Sequence, residues 1–464
     1  MIELRPYQAA GVAEIRAHFS AGRRRVVYVL PTGGGKTICF SFVAASVVDR
    51  AKSVLLLGHR DEIVRQISGA LSALGVEHGV IAAGHPLRPG PVQVASVATL
   101  ARRLGPDLPK FDLVVIDEAH HAVAGIWRKI QAALPDAFVL GVTATPERLD
   151  GRGLASTFDA MVQGPTVTEL TAGGFLSPFR LYAPAEPVDL SAVKAKAGDF
   201  EAGQLARAMS RPVIIGSAVD GWERICLGVP TVAFCVDRAH SQLVAERFRA
   251  RGHRAVHIDG ETPPTQRRAA IEALRTGDID VLCNCGLISE GVDVPAIGAA
   301  LLLRPTQSLA MYLQQVGRAL RVSPGKERAH ILDFAGNVWR HGAPDAPRAW
   351  SLDSKRRKAP ATAPQSNFRR CQACSALSQR RSRGCTACGA EIAMTPAERA
   401  EIEAELVAAE RLRIMDEVRG LPYSAQLAWA GADEHRLRII ASVRGYKPGW
   451  AWHRLQELAE TAES

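Results

Sequence analysis

Two adjacent carboxylates, Asp117 and Glu118, directly follow the apolar run VVI in the stretch VVIDEAHHA, with His120 and His121 close behind. Neighbouring negative charges repel each other and disfavour ionisation of both groups, unless a cation or a proton donor lies near them. The apolar run has the composition of a buried strand, so we expect both carboxylates at a strand end. The pair therefore predicts a site that binds a cation and handles a proton.

A glycine-rich segment, PTGGGKT (31–37), lies between the β-branched run RVVYVL and a stretch of helical character. Glycines allow backbone N–H groups to approach phosphate oxygens, and the N-terminus of the following helix adds positive potential. Lys36 is then expected to reach the outer phosphates of a nucleotide. Leu30 occupies the position where the common pattern has its first glycine, and a plain glycine-rich turn is the alternative interpretation. The residues predicted to bind the nucleotide here are Thr32, Gly33, Gly34, Gly35, Lys36 and Thr37.

The two patterns form one site if their strands belong to one parallel sheet, because the C-terminal ends of parallel strands share an edge. We expect Thr37 and, through a bound water, Asp117 to hold Mg²⁺ at this edge. Glu118 would orient the attacking water and accept its proton, while Lys36 and the metal ion neutralise charge. Phosphoryl transfer requires this division of work.

Four of the nine cysteines are clustered with the spacing C-x₂-C-x₁₀-C-x₂-C. Each C-x-x-C pair places two thiolates on one tight turn, and two such turns complete the tetrahedral set that Zn²⁺ prefers. We therefore predict a structural zinc site, with a redox pair as the alternative. The predicted ligands are Cys371, Cys374, Cys385 and Cys388.

Short apolar runs alternate with amphipathic segments up to about residue 165, and the alternation restarts after about residue 205. Such alternation is typical of parallel sheets covered on both faces. We predict an α/β fold with two tandem parallel-sheet domains, then a small zinc-binding element and a helical C-terminal region. The predicted ranges are 1–165 (first domain), 166–204 (connecting segment), 205–342 (second domain), 343–367 (linker), 368–392 (zinc element) and 395–464 (helical region).

Six segments, in this order, resemble the motifs of the superfamily 2 DEAD/DEAH-box helicases. They are LRPYQ (4–8), PTGGGKT (31–37), DEAH (117–120), TAT (143–145), EGVDVP (290–295) and QQVGRALR (314–321). The resemblance covers roughly residues 1–340 and implies two RecA-like domains that hydrolyse ATP. Together with the four-cysteine element, the layout is most similar to that of the RadD-like DNA-repair ATPases of bacteria.

The resemblance implies roles for several residues outside the phosphate loop. Gln8 would read the adenine edge, supported by Arg5 and Tyr7. Arg318 and Arg321 would cross from the second domain as arginine fingers, which stabilise the charge that develops in phosphoryl transfer.

Further residues are implied in closing the site and in coupling. Asp293 would meet the ribose or help to close the two halves. His120 would link the nucleotide site to Thr143 and Thr145, and Gln314 belongs to the same coupling set. The catalytic residues are therefore predicted to be Lys36, Asp117, Glu118, His120, Arg318 and Arg321.

Charge also favours a nucleic-acid partner. The 464 residues include 57 Lys and Arg against 47 Asp and Glu, a net charge of +10. Nine basic residues and no acidic one lie between Lys355 and Gly384, which indicates contact with a polyanion; a solvated linker is the alternative. By resemblance, Arg60, Thr99 and Arg238 would touch the nucleic-acid backbone, or each could be plain surface.

The segment GYKPGWAW (445–452) mixes aromatic residues with Lys447 and is flanked by Arg444 and Arg454. Two interpretations stay open for it. Its rings could stack on nucleic-acid bases, or they could form a small core that fastens two helices.

The sequence as a whole predicts an ATP-dependent DNA helicase or translocase, in DNA repair or recombination. An RNA-dependent ATPase, or a nucleic-acid-binding adaptor with little motor activity, are the alternatives. The expected partners are DNA, with RNA as an alternative, and a single-strand-binding or other repair protein. No apolar run approaches the roughly 20 residues that span a bilayer, so we expect a cytoplasmic protein without a membrane partner. The oligomeric state stays open.

Overall fold

The computed structural model describes residues 3–59, 61–85, 88, 90–105, 108–121, 125–147, 153–184, 188–196, 198–287, 297–353, 368–380, 382–392, 410, 413–447 and 449–462. The chain divides into two compact units. The larger comprises Met1–Arg380 with Thr386–Cys388, and the smaller comprises Arg381–Cys385 with Gly389–Ser464. Within the described ranges, no helix is both long enough and apolar enough to cross a bilayer.

The first sheet of the larger unit has seven described strands, which are all parallel. They are β1 (Arg25–Val29), β2 (Val54–Gly58), β3 (Gly79–Ile81), β4 (Val92–Ser96), β5 (Leu113–Asp117), β6 (Phe138–Thr143) and β7 (Ala160–Gln163), in the order β3-β4-β2-β5-β6-β1-β7. Successive residues of β1 belong to different core layers: Val26 and Tyr28 pack on one face and Val27 on the other. Burial on both faces explains why the strands are continuously apolar.

Strand order brings the predicted motifs to one edge of this sheet. Strand β6 lies between β1 and β5, with Val29 beside Thr143 and Asp117 beside Val142. The phosphate loop, the carboxylate pair and the TAT segment therefore follow the ends of three adjacent strands.

The second sheet of the larger unit has six described strands, again all parallel. They are β8 (Phe179–Tyr182), β11 (Thr231–Phe234), β12 (Ala255–Ile258), β13 (Val281–Asn284), β14 (Ala299–Leu302) and β15 (Ala329–Asp333), in the order β12-β13-β11-β14-β15-β8. Strand β8 comes from the range predicted as the connecting segment, and it joins the sheet because Leu181 and Tyr182 are buried beside β15. A two-stranded hairpin, β9 (Ala195–Lys196) and β10 (Asp199–Phe200), follows β8 in the chain.

Helices surround both sheets of the larger unit. They are α1 (Pro6–Ser20), α2 (Lys36–Val48), α3 (Asp61–Ala73), α4 (Val97–Arg102), α5 (Gly125–Ala133), α6 (Val167–Ala172), α7 (Ala202–Met209), α8 (Pro212–Cys226), α9 (Arg238–Ala250), α10 (Pro264–Thr276), α11 (Leu309–Ala319) and α12 (Asn337–His341). Helix α11 carries the QQVGRALR segment and starts at Ser308, whose hydroxyl accepts a hydrogen bond from Met311 N at 3.2 Å. This N-cap fixes where the helix begins.

The described part of the predicted linker, residues 343–353, is anchored to both halves. Arg348 donates to the carbonyl oxygens of Ala343 at 2.8 Å and Pro344 at 3.0 Å, which holds the segment after α12 in a compact turn. Leu352 then packs against the core of the first half, and its carbonyl oxygen accepts from Ala155 N at 3.0 Å.

The zinc-element range begins with an antiparallel hairpin of β16 (Phe368–Arg370) and β17 (Leu377–Gln379). Leu377 is buried in the core of the second half, and Arg370 Nε donates to Ala183 O at 2.9 Å. The hairpin is therefore packed on the edge of the second half.

The smaller unit is helical. Its named helices are α13 (Tyr423–Ala430), α14 (Glu434–Arg444) and α15 (Trp450–Ala462), and residues 413–419 are helical as well. Leu437, Ile440 and Ala451 form the centre of its own core. The predicted fold class, two parallel α/β domains followed by a four-cysteine cluster and a helical region, is confirmed.

Candidate nucleotide site and zinc centre

The phosphate loop connects β1 to α2 through two left-handed glycines. Gly33 has φ 88° and Gly35 has φ 85°, a conformation that glycine adopts without steric cost. Leu30, which departs from the common pattern, is fully buried beneath the loop. A Cβ atom on Gly34 would lie 2.8 Å from Leu30 Cγ, so Gly34 supplies the clearance that this leucine requires. Lys36 and Thr37 open α2 and both line the cleft.

The LRPYQ segment packs against the phosphate loop. Gln8 is buried, and its Nε2 donates to Gly34 O at 3.2 Å, while its Oε1 accepts from Arg5 N at 2.9 Å. Tyr7 Oη donates to the same carbonyl oxygen at 2.8 Å. Arg5 lies 5.0 Å above the Phe175 ring. The Gln8 amide thus joins the start of α1 to the phosphate loop in this conformation, and adenine recognition by Gln8 stays a prediction.

The carboxylate pair lies at the end of β5 in a strained turn. Glu118 has φ 50°, an uncommon value for a residue with a side chain, and its N–H donates to Asp117 Oδ1 at 3.0 Å. Burial raises the pKa of Asp117 to about 6, the negative charge of Glu118 adds to the rise, and Lys36 opposes it. Lys36 Nζ is 3.9 Å from Glu118 Oε1. A bound cation would lower the pKa of Asp117 as Lys36 does, and a cation site here stays a prediction.

A chain of contacts joins this pair to the TAT segment. His120 Nδ1 lies 3.4 Å from Glu118 Oε2 and 3.1 Å from Thr143 Oγ1. The Thr143 hydroxyl donates its hydrogen to Thr145 O at 2.8 Å, so its oxygen can only accept from His120. The proton of a neutral His120 is therefore on Nδ1.

The second half completes the cleft with residues of the QQVGRALR segment. Gln314 and Arg318 are buried, and they line the same cleft as the phosphate loop and the carboxylates. A Cβ on Gly317 would lie 2.4 Å from Thr32 Cβ, so the absence of a side chain there lets α11 touch the phosphate loop. The residues that line the cleft are Thr32, Gly33, Gly35, Lys36, Thr37, Ile38, Ile63, Gln66, Ala70, Asp117, Glu118, Gln314, Arg318 and Arg321.

Two groups that hold the Arg321 backbone were missed by sequence reasoning. Lys326 Nζ donates to Arg321 O at 2.7 Å and also to Ala319 O, at the C-terminal end of α11. Ser177 Oγ donates to Arg321 O at 3.1 Å. Burial lowers the pKa of Lys326 to about 8. These contacts go to main-chain carbonyl oxygens, which carry no sequence signature.

Gln66 was also missed as a cleft residue. It shares one face of α3 with Ile63 and Ala70, which also line the cleft. The spacing of three and four residues was the available signal.

The residues predicted to touch nucleic acid are only partly described. Arg60 lies outside the described residues. So does Asp293, which was predicted to meet the ribose of the nucleotide or to help close the two halves. Thr99 is partly exposed on α4. Arg238 has 43% of its side chain exposed and pairs with Asp259 and Glu261, each at 2.5 Å. A nucleic-acid phosphate that binds Arg238 would have to compete with these two carboxylates for its guanidinium group.

The four clustered cysteines meet the geometric requirement for zinc. Their four Sγ atoms all lie within 4.8 Å of one another. A tetrahedron with Zn–S bonds of about 2.3 Å has sulfur–sulfur edges of about 3.8 Å, and Cys371 Sγ is 3.7 Å from Cys388 Sγ.

The two C-x-x-C turns have the same backbone design. Cys371 O accepts from Ser375 N, and Cys385 O accepts from Gly389 N, both at 2.9 Å. Ser375 and Gly389 both have positive φ, 63° and 76°. The donor set and the matched turns fit a structural Zn²⁺ ion better than a redox pair.

Two family models match the chain. One is described as the res subunit of type III restriction enzymes and matches residues 1–148. The other is described as the helicase conserved C-terminal domain and matches residues 223–323.

Similar proteins extend beyond these models. A 51.5 kDa protein of a Lactococcus phage (isolate 7-9) is 31% identical over 443 residues, which are 93% of this chain and 94% of the phage protein. A Saccharomyces cerevisiae protein named as the ATP-dependent helicase IRC3 is 32% identical over 356 residues, which are 72% of this chain and 51% of the yeast protein. This chain thus covers about half the length of the yeast relative.

A solved structure shares the fold. A fragment of an HsdR subunit of a type I restriction enzyme from Vibrio vulnificus superposes with a TM-score of 0.58 at 20% identity, covering 74% of this chain and 66% of that fragment. The matches span both halves that build the split cleft. The chain belongs to the superfamily 2 helicases, a family of ATP-hydrolysing enzymes.

Proposed function

We propose that this protein is an ATP-dependent DNA helicase or translocase that acts in DNA repair or recombination. The observation that carries the proposal is the split cleft, in which Lys36 and Glu118 of the first half face Arg318 and Arg321 of the second. A split site hydrolyses ATP efficiently only when both halves are in place, so hydrolysis can be coupled to their movement.

The residues of the first half would bind and activate the reactants. Lys36 neutralises phosphate charge, and Glu118 orients the attacking water and takes up its proton. The strained Glu118 backbone keeps its carboxylate directed into the cleft. His120 then connects the Glu118 carboxylate to Thr143 of the TAT segment. Protonation of Glu118 would thereby affect the TAT segment.

The second half would supply Arg318 and Arg321 to the transition state. Arginine fingers are worth roughly 10³–10⁵ in rate, because a planar guanidinium stabilises charge on the transferred phosphoryl group. The cleft also fits a magnesium ion, since Asp117 and Thr37 are oxygen donors that line it. When bound, Mg²⁺ would neutralise the charge of the β- and γ-phosphates.

DNA is the preferred track because the model that matches residues 1–148 describes a subunit of restriction enzymes, which act on DNA. The basic stretch around the zinc element supports a polyanion partner. The assignment to repair or recombination rests on the arrangement of two helicase halves followed by a four-cysteine element. RNA stays the alternative nucleic acid, because the motifs of the ATP site do not distinguish the sugar of DNA from that of RNA.

The test is ATP hydrolysis by the purified, zinc-loaded protein, alone and with single-stranded, duplex or branched DNA, or with RNA. We expect strong stimulation by DNA and a loss of about 10²–10⁴-fold in kcat in Glu118→Gln, the contribution of a general base. Glu77→Gln is the matched control, because Glu77 is an exposed acid of the same half outside the cleft. ATP binding, followed by titration calorimetry, should persist in Glu118→Gln.

Each other outcome changes the assignment. Stimulation by RNA alone would move the protein to RNA metabolism. Equal loss in both glutamate variants would contradict the role of Glu118. Absence of hydrolysis in folded protein would favour a nucleic-acid-binding adaptor. A strand-displacement assay then separates unwinding from translocation without strand separation.

A further inference from the structure

The sequence left two interpretations open for the GYKPGWAW segment. In the smaller unit, one of its tryptophans packs on the core and the other lies at the surface. Trp450 packs against the core around Leu437 and Ile440. Trp452 is 57% exposed and Tyr446 is 38% exposed. Residues 450 and 452 are about 200° apart around a helix, so one ring faces the core while the other faces solvent.

Two pairs of rings lie around the first turn of α15. The Tyr446 ring is 5.0 Å from the Trp450 ring, and the Trp452 ring is 4.9 Å from that of His453. Trp450 and His453 are three residues apart on the same helix face. We call Tyr446, Lys447, Trp452 and His453 the aromatic–basic surface.

Main-chain hydrogen bonds order the described residues around this surface. Helix α14 ends at Gly445, whose φ is 69°, and Tyr446 N donates to Ala441 O at 2.8 Å. Trp450 N then donates to Lys447 O at 3.0 Å, and His453 N donates to Gly449 O at 3.1 Å. These bonds order the main chain from which the rings project, which lowers the entropy cost of stacking.

Two cations near these rings have no acidic partner among the described residues. Residues 435–456 contain five Lys and Arg residues and no Asp or Glu, but three of the arginines pair with acids just outside this range. These pairs are Arg436–Asp433, Arg438–Glu434 and Arg454–Glu457. Lys447 is exposed and has no ion pair among the described residues. Arg444 binds Gln426 Oε1 at 2.7 Å and lies 4.5 Å above the Tyr423 ring, so its charge is also not neutralised by an acid. A surface of this kind complements a polyanion with flat, apolar groups.

We propose that the aromatic–basic surface binds single-stranded nucleic acid, with Trp452 stacking on a base and Lys447 contacting a phosphate. Unpaired strands are specified because a base offers its face to a side chain only when it is unstacked. This second contact deepens the proposed function by holding the strand outside the ATP-driven halves. The binding step itself needs no ATP, so it can be tested apart from hydrolysis.

The first test measures binding of the full chain to a fluorescent 20-nucleotide dT strand by anisotropy, without ATP. A stacked base is worth about 1–3 kcal/mol, so Trp452→Ala should weaken binding by about 5- to 150-fold. Trp452→Phe should retain most of the affinity because it keeps a stacking ring. Leu227→Ala, an exposed apolar truncation 66% exposed in the larger unit, is the matched control and should not change it. Parallel titrations with an rU strand and with duplex DNA separate the sources: rU should follow dT, and duplex binding should be indifferent to Trp452→Ala.

Two further readouts identify the chemistry of the contact. Unlabelled dT should quench tryptophan fluorescence in the wild type, and less in Trp452→Phe although that variant still binds. Lys447→Gln should reduce the slope of log K against log salt by about 0.7, one contact on a single strand. Arg419→Gln, which removes a charge already paired with Asp416 at 2.6 Å, should leave the slope unchanged.

Wild-type affinity and wild-type quenching in the Trp452 variants would overturn the proposal and assign this surface to a protein partner. Equal weakening by Leu227→Ala would also overturn it. The kcat at saturating DNA should be unchanged in Trp452→Ala. Failure of the Glu118 test with intact stacking would therefore remove the motor function and leave the binding surface standing.

Discussion

Substitution of Gly317 by alanine tests whether the two halves must touch for ATP to be hydrolysed. The added Cβ would lie 2.4 Å from Thr32 Cβ and 2.6 Å from Thr32 Cγ2. Carbon atoms pack at about 3.5–4.0 Å, so α11 and the phosphate loop must separate by about 1 Å. Alanine is a better helix former than glycine, so α11 itself should not unfold.

The separation acts on catalysis because Arg318 is the next residue on α11. A displacement of about 1 Å can cost about 10²-fold in rate when groups must meet in the transition state. We expect kcat to fall by about that factor in Gly317→Ala. The KM for ATP should change less, because Lys36 and the loop still bind the phosphates. Steady-state hydrolysis at saturating DNA measures both quantities.

A second substitution separates this steric mechanism from general damage. Thr32→Gly removes both contacting carbons. The kcat of the double variant should therefore be at least about tenfold higher than that of Gly317→Ala. Thr32→Gly alone is the reference for full recovery. Gly216 on α8 provides the matched control, because a Cβ there meets no atom within 4 Å. A wild-type kcat in Gly317→Ala, or no recovery in the double variant, would refute the reasoning.

Three further predictions concern stability and the metal. Gly141→Ala places a Cβ 2.4 Å from Phe158 Cζ inside the core, so we expect a loss of about 1–3 kcal/mol in the free energy of unfolding, measured by urea denaturation; an unchanged midpoint would argue against this packing. His240 accepts a hydrogen bond from Val236 N, and burial lowers its pKa to about 4 from the ordinary 6.5. As the pH falls from 6.5 towards 4, His240 is therefore protonated in the unfolded state before it is protonated in the folded state. The free energy of unfolding should fall by about 2 kcal/mol by pH 5. His240→Asn should abolish this loss. Metal analysis should find one Zn²⁺ per chain and less in Cys374→Ser, with a lower Tm; equal zinc in both proteins would exclude the four-thiolate site.

The central strands were predictable because burial on both faces leaves a continuous apolar run, as in β2 and β5. Strands β3, β7 and β8 were not predicted, and each lies at an edge of its sheet. The partner of β7 is β1, more than 130 residues away in the chain, and pairing over such a distance depends on packing that one sequence does not display.

The site residues also include some that the sequence predicted and some that it did not. The phosphate loop and the carboxylate pair were readable because their chemistry requires particular side chains at fixed spacing. Ser177 and Lys326 were not readable, because they act on a carbonyl oxygen that every residue possesses. The two tryptophans of GYKPGWAW could be assigned only once the helix phase showed which of them faces the core.

The contact between the two halves, where Gly317 meets Thr32, suggests how a nucleic acid could control ATP hydrolysis. In the first half, contacts from Glu118 through His120 to Thr143 fix the nucleophile side of the site. In the second half, Lys326 and Ser177 fix the main chain that carries Arg321. Each side has its own internal contacts, and between the sides a Cβ on Gly317 would lie 2.4 Å from Thr32 Cβ. A strand bound across both halves therefore needs to change only their spacing, by about 1 Å, to switch the reaction by about 10²-fold.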